Sequence, residues 1–192
     1  MTDDPAEMIA ALIDGKGEGR YGLSGINQRA HALQAAWLAE RSGCGAALIV
    51  ASLLHDIGHM VHDLGENPAA AGVDDRHEEV GYDFLRDYFG PEVTEPVRLH
   101  VAAKRYLCAV EADYFARLSE DSVLSLSLQG GPMPEQEAEA FAALPHAQAA
   151  VQLRRFDEAA KVKGLETPAV EHFLPHVREC LGGGGRQRRD RD

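Results

Sequence analysis

The chain has 192 residues, of which 45% are apolar and 26% are charged, a composition typical of one soluble globular domain. Its net charge of −12, from 31 acidic and 19 basic residues, argues against a nucleic-acid-binding protein, which needs a basic face. The three cysteines, Cys44, Cys108 and Cys180, are widely separated and form no CxxC pair, so we expect neither a zinc ribbon nor a redox dithiol.

The ends of the chain carry no targeting pattern. Residues 1–4 are acidic at two positions and lack the basic and apolar regions of a signal peptide, and no apolar run approaches ~20 residues. We therefore expect a cytoplasmic protein with no membrane span, either a monomer or a small homo-oligomer. One domain is predicted over residues 1–181, and a disordered tail over 182–192, where four glycines precede a charged stretch.

Helical periodicity dominates the chain, which predicts an all-α fold, a single helical bundle. The first predicted helix covers residues 31–38 and ends before Gly43, and the second covers 46–54, where nearly every face is apolar, as in a central buried helix. Residues 63–74 are predicted to form a loop. Further helices are predicted at residues 75–89, 93–103, 119–128, from 134 onward, 151–161 and 168–180. Residues 122–128 also alternate with period two, which leaves a strand open there.

His55 and Asp56 lie at the end of the apolar segment 46–54. Burying two such polar side chains is costly unless something charged holds them, and a metal ion is the group that these side chains favour. Candidate ligands on other predicted helices are His31, His77, His100 and Asp157. Four histidines and two aspartates exceed the needs of one ion and suit two ions about 3.5–4 Å apart, bridged by a carboxylate. Asp56 is the natural bridge, and imidazole with carboxylate favours iron or manganese over structural zinc.

The order of these residues resembles the HD-domain superfamily, an all-helical fold named for its His, His-Asp and Asp ligands, here His31, His55, Asp56 and Asp157. Within it, the chain is similar to the PhnZ- and TmpB-type di-iron oxygenases, which cleave carbon–phosphorus bonds. The similarity covers about residues 20–175. It rests on Tyr21 and on residues 25–28, 31–34, 53–59, 77–78, 100–107, 129–133 and 157–158.

The resemblance implies two Fe ions in a mixed-valent Fe(II)/Fe(III) pair. It implies that one iron is bound by His31, His55, Asp56 and Asp157, and the other by His77, His100 and the shared Asp56. The second iron then keeps open positions for substrate and O₂. Oxygenation at C1 of a 1-hydroxyphosphonate releases phosphate and leaves a carboxylate.

The resemblance also implies roles for residues around the irons. Tyr21 matches a tyrosine that ligates the open iron until substrate displaces it, although an ordinary loop tyrosine is an alternative. His59 is implied as a substrate contact, and Lys104, one helical turn after His100, suits a phosphonate anion. Ser122 and Ser125 offer hydroxyl donors from one helix face, and Gln129 is a further candidate for substrate binding. Arg154, one turn before Asp157, is predicted either to support that ligand or to lie exposed.

One departure from the family bears on the substrate. The family members that act on a primary amine carry a glutamate three residues after the tyrosine, and this chain has Ser24 there. A trimethylammonium group has no N–H to donate and is held by aromatic faces or a diffuse negative field. We therefore favour 1-hydroxy-2-(trimethylammonio)ethylphosphonate, which gives glycine betaine and phosphate. The primary-amine substrate, which gives glycine, and a substrate with no amine stay open.

Three other functions are compatible with parts of the pattern. An HD-domain phosphohydrolase of a nucleotide or phosphate monoester shares the four core ligands and uses a metal-activated water. An inositol-oxygenase-like protein also has a di-iron site, but the chain is short for that group. A metal-dependent sensor or a degenerate interaction module is the non-enzymatic alternative, and degeneracy usually removes ligands that are all present here.

Overall fold

The computed structural model describes residues 4–21, 25–61, 69 and 72–182, without the side chains of Arg20 and Tyr21. This part of the chain contains ten α-helices and one short antiparallel hairpin, which confirms the predicted all-α class. The helices are α1 (Pro5–Lys16), α2 (Gln28–Arg41), α3 (Ala46–Leu54), α4 (Gly58–Val61), α5 (His77–Leu85), α6 (Pro91–Val110), α7 (Glu120–Leu128), α8 (Glu135–Ala142), α9 (Ala147–Ala159) and α10 (Val170–Cys180). The hairpin strands are β1 (Arg20–Tyr21) and β2 (Ile26–Asn27), and a 3₁₀ helix lies at Phe115–Arg117.

Helix α3 is the centre of the bundle, as its apolar sequence predicts. Its residues 49–54 are all buried, and it packs against α2, α6, α9 and α10. Helix α6 packs in turn against α5 and α9, and α1 packs against α10. A second apolar cluster, which includes Leu99, Met133 and Phe141, joins α6 to α8 and α9. The apolar core is therefore packed around α3 and α6. His55 and Asp56 directly follow α3, and His100 lies on α6.

Side-chain caps fix where several helices begin. The Asn27 side chain accepts a hydrogen bond from the Ala30 amide at 2.7 Å, so α2 begins directly after the hairpin. Ser119 caps α7 in the same way, accepting from the Ser122 amide at 3.3 Å. These starts set the helical phase of His31 on α2 and of the serines on α7.

The structure differs from the sequence prediction in local features. Helix α1 and the hairpin were not predicted, because strands of two residues are too short to show alternation. Helix α6 is longer than predicted and continues through Pro96, whereas α5 is shorter because the chain turns and Phe89 forms a bridge with Leu181. Residues 120–128 are helical, which resolves the period-two ambiguity. Residues 63–68, 70 and 71 of the predicted loop and 183–192 of the predicted tail lie outside the described residues.

The chain turns sharply between α3 and α4. Residues 55–57 form a turn, so His55 and His59 do not lie on one continuous helix. A Cβ atom on Gly58 would lie 2.0 Å from the carbonyl oxygen of His77, so only glycine lets the two backbones approach this closely. This contact brings the first residue of α5 next to the His55–Asp56 turn. Among the described helices, none has the length and apolar character needed to cross a bilayer.

Candidate metal centre

The structure brings the six predicted ligand residues together at one buried place. They come from α2, the turn after α3, the start of α5, α6 and α9, and each side chain is at most 10% exposed. The name HD centre is used below for this set: His31, His55, Asp56, His77, His100 and Asp157.

The first half of the HD centre contains His31, His55 and Asp157. The Nε2 atoms of His31 and His55 are 3.0 Å apart, and Asp157 Oδ1 lies 3.3 Å from His31 Nε2. Asp56 Oδ2 is 3.5 Å from both of these nitrogen atoms. Four donor atoms therefore converge on one point.

The second half contains His77 and His100, whose Nε2 atoms are 3.1 Å apart. The other oxygen of Asp56, Oδ1, lies 3.5 Å from His77 Nε2 and 3.6 Å from His100 Nε2. Each carboxylate oxygen of Asp56 thus faces a different pair of imidazoles, which is the arrangement of a bridging ligand.

The remaining ring nitrogens show which atoms carry protons. The Nδ1 atoms of His31, His55 and His100 lie 2.8, 2.9 and 2.7 Å from the backbone carbonyls of Ala160, Ser52 and Val97. A carbonyl only accepts, so each Nδ1 donates and each neutral ring directs the lone pair of Nε2 into the centre. Lone pairs that meet at about 3 Å repel one another unless a cation lies between them.

Asp157 Oδ1, which faces the first half of the HD centre, is buried without a hydrogen-bond donor in the described structure. The donor set therefore fits metal ions. Two buried His/Asp clusters joined by Asp56 are consistent with a dinuclear site.

Burial and neighbouring charges set the protonation of these ligands. Burial lowers the pKa of His55 and holds that of His100 well below its usual value, so both rings are neutral. Burial also acts on His77, but its hydrogen bond to Asp75 and the charge of Asp56 outweigh it and raise the pKa of His77 to about 9. A metal bound at His77 near neutral pH must therefore displace a proton.

Comparison with known proteins places this helical arrangement in a family. The sequence model of the HD domain matches residues 29–138. The chain belongs to the HD-domain family. The matched residues include His31, His55, Asp56, His77 and His100 of the HD centre, whereas Asp157 follows them in the chain.

Two relatives that this HD-domain chain resembles are dioxygenases. One, from Leisingera caerulea, is named [1-hydroxy-2-(trimethylamino)ethyl]phosphonate dioxygenase (glycine-betaine-forming) and is 42% identical over 91% of this chain and 89% of its own. The other, from Gimesia maris, is named hydroxymethylphosphonate dioxygenase and is 43% identical over 94% of this chain and 92% of its own. An uncharacterized protein of Acanthamoeba polyphaga mimivirus is 30% identical over 80% of this chain and 71% of its own.

A network of charged and polar groups supports Asp157 of the HD centre. Arg154 is buried and donates to Asp157 Oδ2, and its Nε donates to the Tyr114 hydroxyl at 3.1 Å. Although burial alone would raise the pKa of Asp157, Arg154 and Lys161 hold it well below its usual value. The structure thus places Arg154 as a support for this carboxylate rather than at the surface.

The same network of charged and polar groups extends to helix α7. Glu158 Oε1 accepts from the backbone amide of Ser119 at 2.8 Å, and Glu158 Oε2 accepts from Ser122 Oγ at 3.1 Å and from Lys161 Nζ at 3.0 Å. Helix α7 is therefore joined to α9, which carries Asp157. The sequence prediction missed the roles of Tyr114 and Lys161, since neither lies in a ligand-like pattern.

A cavity of about 100 Å³ meets the HD centre. Asp56, His77, His100 and Asp157 line it, whereas His31 and His55 do not. This cavity thus reaches both histidines of the second half, whereas from the first half it reaches Asp157 but neither histidine.

Five of the predicted substrate contacts also line this cavity: His59, Lys104, Ser122, Ser125 and Gln129. Lys104 is buried on α6 and donates to Ser125 Oγ at 2.7 Å. Burial, with a further contribution from the charge of Arg154, lowers the pKa of Lys104 to about 7. A cationic side chain this poorly solvated is a strong partner for a bound anion.

Two predicted site residues lie at the edge of what the structure describes. Tyr21 is in β1, but its side chain is outside the described part, and Ser24 is outside the described residues altogether. Among the described lining residues there is no Phe, Tyr or Trp. The more exposed residues of the described lining include the acidic Asp74 and Asp121 and the apolar Leu124 and Leu128.

Asp75 and Gln28 are polar lining residues to which the sequence analysis gave no role. Asp75 contacts two imidazoles, and its position two residues before His77 was the available signal. Gln28 is buried, lines the cavity and has an amide oxygen without a described hydrogen-bond partner. Its position one helical turn before His31 was the corresponding signal.

Proposed function

We propose that this HD-domain protein is a di-iron dioxygenase that cleaves the carbon–phosphorus bond of a 1-hydroxyphosphonate. The observation that carries the proposal is that one cavity reaches both histidines of the second half of the HD centre and an anion-binding side chain. The buried Lys104, which donates to Ser125 Oγ at 2.7 Å, lines this cavity together with His77 and His100. The identity of 42–43% to two phosphonate dioxygenases supports the same assignment.

The two halves of the HD centre offer different numbers of ligands. Among the described residues, the first half supplies His31, His55, Asp157 and one oxygen of Asp56, and the second supplies His77, His100 and the other oxygen of Asp56. The second position therefore keeps room for substrate and O₂. Nitrogen and carboxylate ligands suit iron, and a mixed-valent iron pair is the cofactor that we propose. Iron bound there supplies the redox chemistry that lets O₂ react with an organic molecule.

Residues of this chain bind and orient the phosphonate. Lys104 supplies the positive charge, and Ser125, which already accepts from Lys104, presents a hydroxyl beside it. His59, Ser122 and Gln129 line the same cavity and complete the proposed anion site. Tyr21 is proposed to occupy the open iron until substrate displaces it, since a phenolate is a hard oxygen donor.

The reaction balances with O₂ as the oxidant. The C1–P bond breaks, C1 gains oxygen and becomes a carboxylate, and phosphorus gains one oxygen and leaves as phosphate. Both oxygen atoms of O₂ end in the products, C1 is oxidised by four electrons, and one proton is released near neutral pH. Lys104 and Ser125 hold the phosphonate while its bond to C1 breaks.

The favoured substrate is 1-hydroxy-2-(trimethylammonio)ethylphosphonate. Asp74 and Asp121, in the more exposed part of the lining, supply the diffuse negative field that a quaternary ammonium needs. Leu124 and Leu128 supply apolar surface for its methyl groups. Ser24, in place of the glutamate of the primary-amine enzymes, favours the same choice.

A substrate panel tests the proposal. Protein loaded with Fe(II) without oxygen is mixed with hydroxymethylphosphonate and with the 2-amino and 2-trimethylammonio derivatives of 1-hydroxyethylphosphonate. O₂ uptake and phosphate release are then followed together. We expect one phosphate per O₂, fastest with the trimethylammonio compound. Release of phosphate under nitrogen would instead identify a phosphohydrolase, and no release from any compound would exclude the substrate class.

Two variants show whether the HD centre is responsible. His100→Ala removes a ligand of the second half and is expected to abolish O₂ uptake. His146→Ala, outside the centre at the start of α9, is the matched control and is expected to keep wild-type activity.

A further inference from the structure

Asp75 lies directly before α5 and joins two imidazoles that are distant in sequence. Its Oδ2 atom lies 2.8 Å from Nδ1 of His59, and its Oδ1 atom lies 2.9 Å from Nδ1 of His77. An ionised carboxylate only accepts, so both imidazoles donate through Nδ1. His77 belongs to the HD centre, whereas His59 lines the cavity, so one carboxylate connects the metal centre with the proposed substrate site.

The two rings are stacked as well as bridged. Their centroids are 4.1 Å apart, and their planes differ by 21°. The Nε2 atom of His77 reaches His100 and Asp56. His59, stacked on the ring of His77, lines the cavity that meets this half of the centre.

The backbone around Asp75 is adapted to this contact. Arg76 has φ 48° and ψ 39°, a left-handed conformation that residues other than glycine adopt only where surrounding contacts hold it. It allows the backbone amide of His77 to approach Asp75 Oδ1 at 3.3 Å, in addition to the imidazole. Oδ1 is thus held by both donors of His77.

We propose that Asp75 is a positioning residue that fixes the metal ligand His77 and the substrate-facing His59 in one unit. Its effect on His77 depends only on the described contacts, whereas its effect on substrate rests on the proposed function. Among the four imidazoles of the HD centre, His77 depends on a side chain for its Nδ1 acceptor, whereas His31, His55 and His100 use backbone carbonyls.

Metal affinity tests the first half of the proposal. Asp75→Asn keeps the shape of the side chain but leaves one accepting oxygen, so it can satisfy only one Nδ1 donor. We expect one of two Zn(II) sites to weaken by about 10–100-fold in competition with a chromophoric chelator, while the other stays unchanged. Asp83→Asn, within α5 and paired with Arg86 on the surface, is the matched control and should leave both sites unchanged.

Steady-state kinetics test the second half, with metal at saturation. Asp75→Asn and His59→Ala are expected to raise the KM for the trimethylammonio substrate by similar factors. The double variant should be no worse than either single variant, because both changes remove the same positioned imidazole. His59→Ala should leave Zn(II) affinity unchanged, which separates the two effects of Asp75.

Circular dichroism and thermal melting establish that each variant folds. Should Asp75→Asn fail to fold, Asp75→Glu provides the comparison, since a carboxylate on a longer arm should restore only part of the Zn(II) affinity. Wild-type Zn(II) affinity in Asp75→Asn, or KM effects that multiply in the double variant, would overturn the proposal. If wild-type protein oxidises no phosphonate, the proposed function fails, and the Zn(II) titration still decides the role of Asp75.

Discussion

Replacement of Gly58 by alanine is expected to separate the two halves of the HD centre. The new methyl group would lie 2.0 Å from the carbonyl oxygen of His77, 2.7 Å from its carbonyl carbon and 2.9 Å from its Cα atom. Non-bonded carbon atoms settle at about 3.5–4.0 Å, so the backbone of His77 must move by about 1 Å. These are backbone atoms, so no side-chain rotation can relieve the clash. The movement carries His77 away from Asp56 and His100.

The size of the effect follows from that displacement. Overpacking of this kind costs about 1–3 kcal/mol, which lowers the melting temperature by roughly 2–12 °C in a domain of this size. A misplacement of about 1 Å in an active site reduces turnover by about 100-fold. We therefore expect a folded protein that binds the second metal weakly and is nearly inactive in the O₂-uptake assay.

Gly15→Ala is the matched control for Gly58→Ala. Gly15 lies in α1, no heavy atom beyond its own helix lies within 4 Å of its Cβ position, and its φ is not positive. Alanine favours a helix over glycine by about 0.8–1.0 kcal/mol, so this variant should melt slightly higher than wild type and keep full activity. Wild-type melting, metal content and turnover in Gly58→Ala would refute the reasoning.

Three further predictions concern charge. Arg154→Met removes one of the two cations that Asp157 and Glu158 share, so that Lys161 alone is left, and is expected to lower the free energy of unfolding in urea by about 3–5 kcal/mol. Tyr114→Phe removes one neutral partner of Arg154 and should cost less. Lys104→Met should raise the free energy of unfolding of the metal-free protein above that of wild type at pH 6, because burial disfavours the lysine cation in the folded state. This difference in unfolding free energy should shrink as the pH rises from 7 to 10, where folded wild-type Lys104 is neutral and its loss of a proton costs progressively less. Because the pKa of His77 is raised to about 9 in the metal-free protein, Zn(II) binding at pH 7 should release a proton from His77. Calorimetry would detect this proton as a binding enthalpy that depends on the buffer. The affinity for Zn(II) should rise with pH until about 9.

The sequence predicted the helical class because long periodic segments, above all residues 46–54, carry a strong signal. It placed six candidate ligands in five separate segments, and the structure brings them together in two adjoining clusters. Helix ends were less predictable: α6 runs through Pro96, and α5 stops early where Phe89 pairs with a residue far along the chain. Such choices depend on tertiary contacts that local pattern does not encode.

The support around the candidate site was the least predictable part. Arg154 was a candidate because it lies one helical turn from Asp157, a local relation. Tyr114 reaches the same network from a distant segment, whereas Lys161 lies only four residues after Asp157. Asp75 joins His59 to His77 through a turn whose geometry depends on Arg76. Local spacing offers a signal for Lys161 and Asp75, but the contact of Tyr114 with Arg154 depends on the tertiary fold.

The backbone acceptors of the imidazoles have an evolutionary consequence. Carbonyls of Ser52, Val97 and Ala160 hold three rings, and no single substitution can delete a main-chain carbonyl. The fourth ring, His77, pairs with the side chain of Asp75, and a single substitution of Asp75 can change that contact. Selection for a new substrate or a different redox behaviour can thus adjust one metal position gradually while the other keeps its inherited geometry.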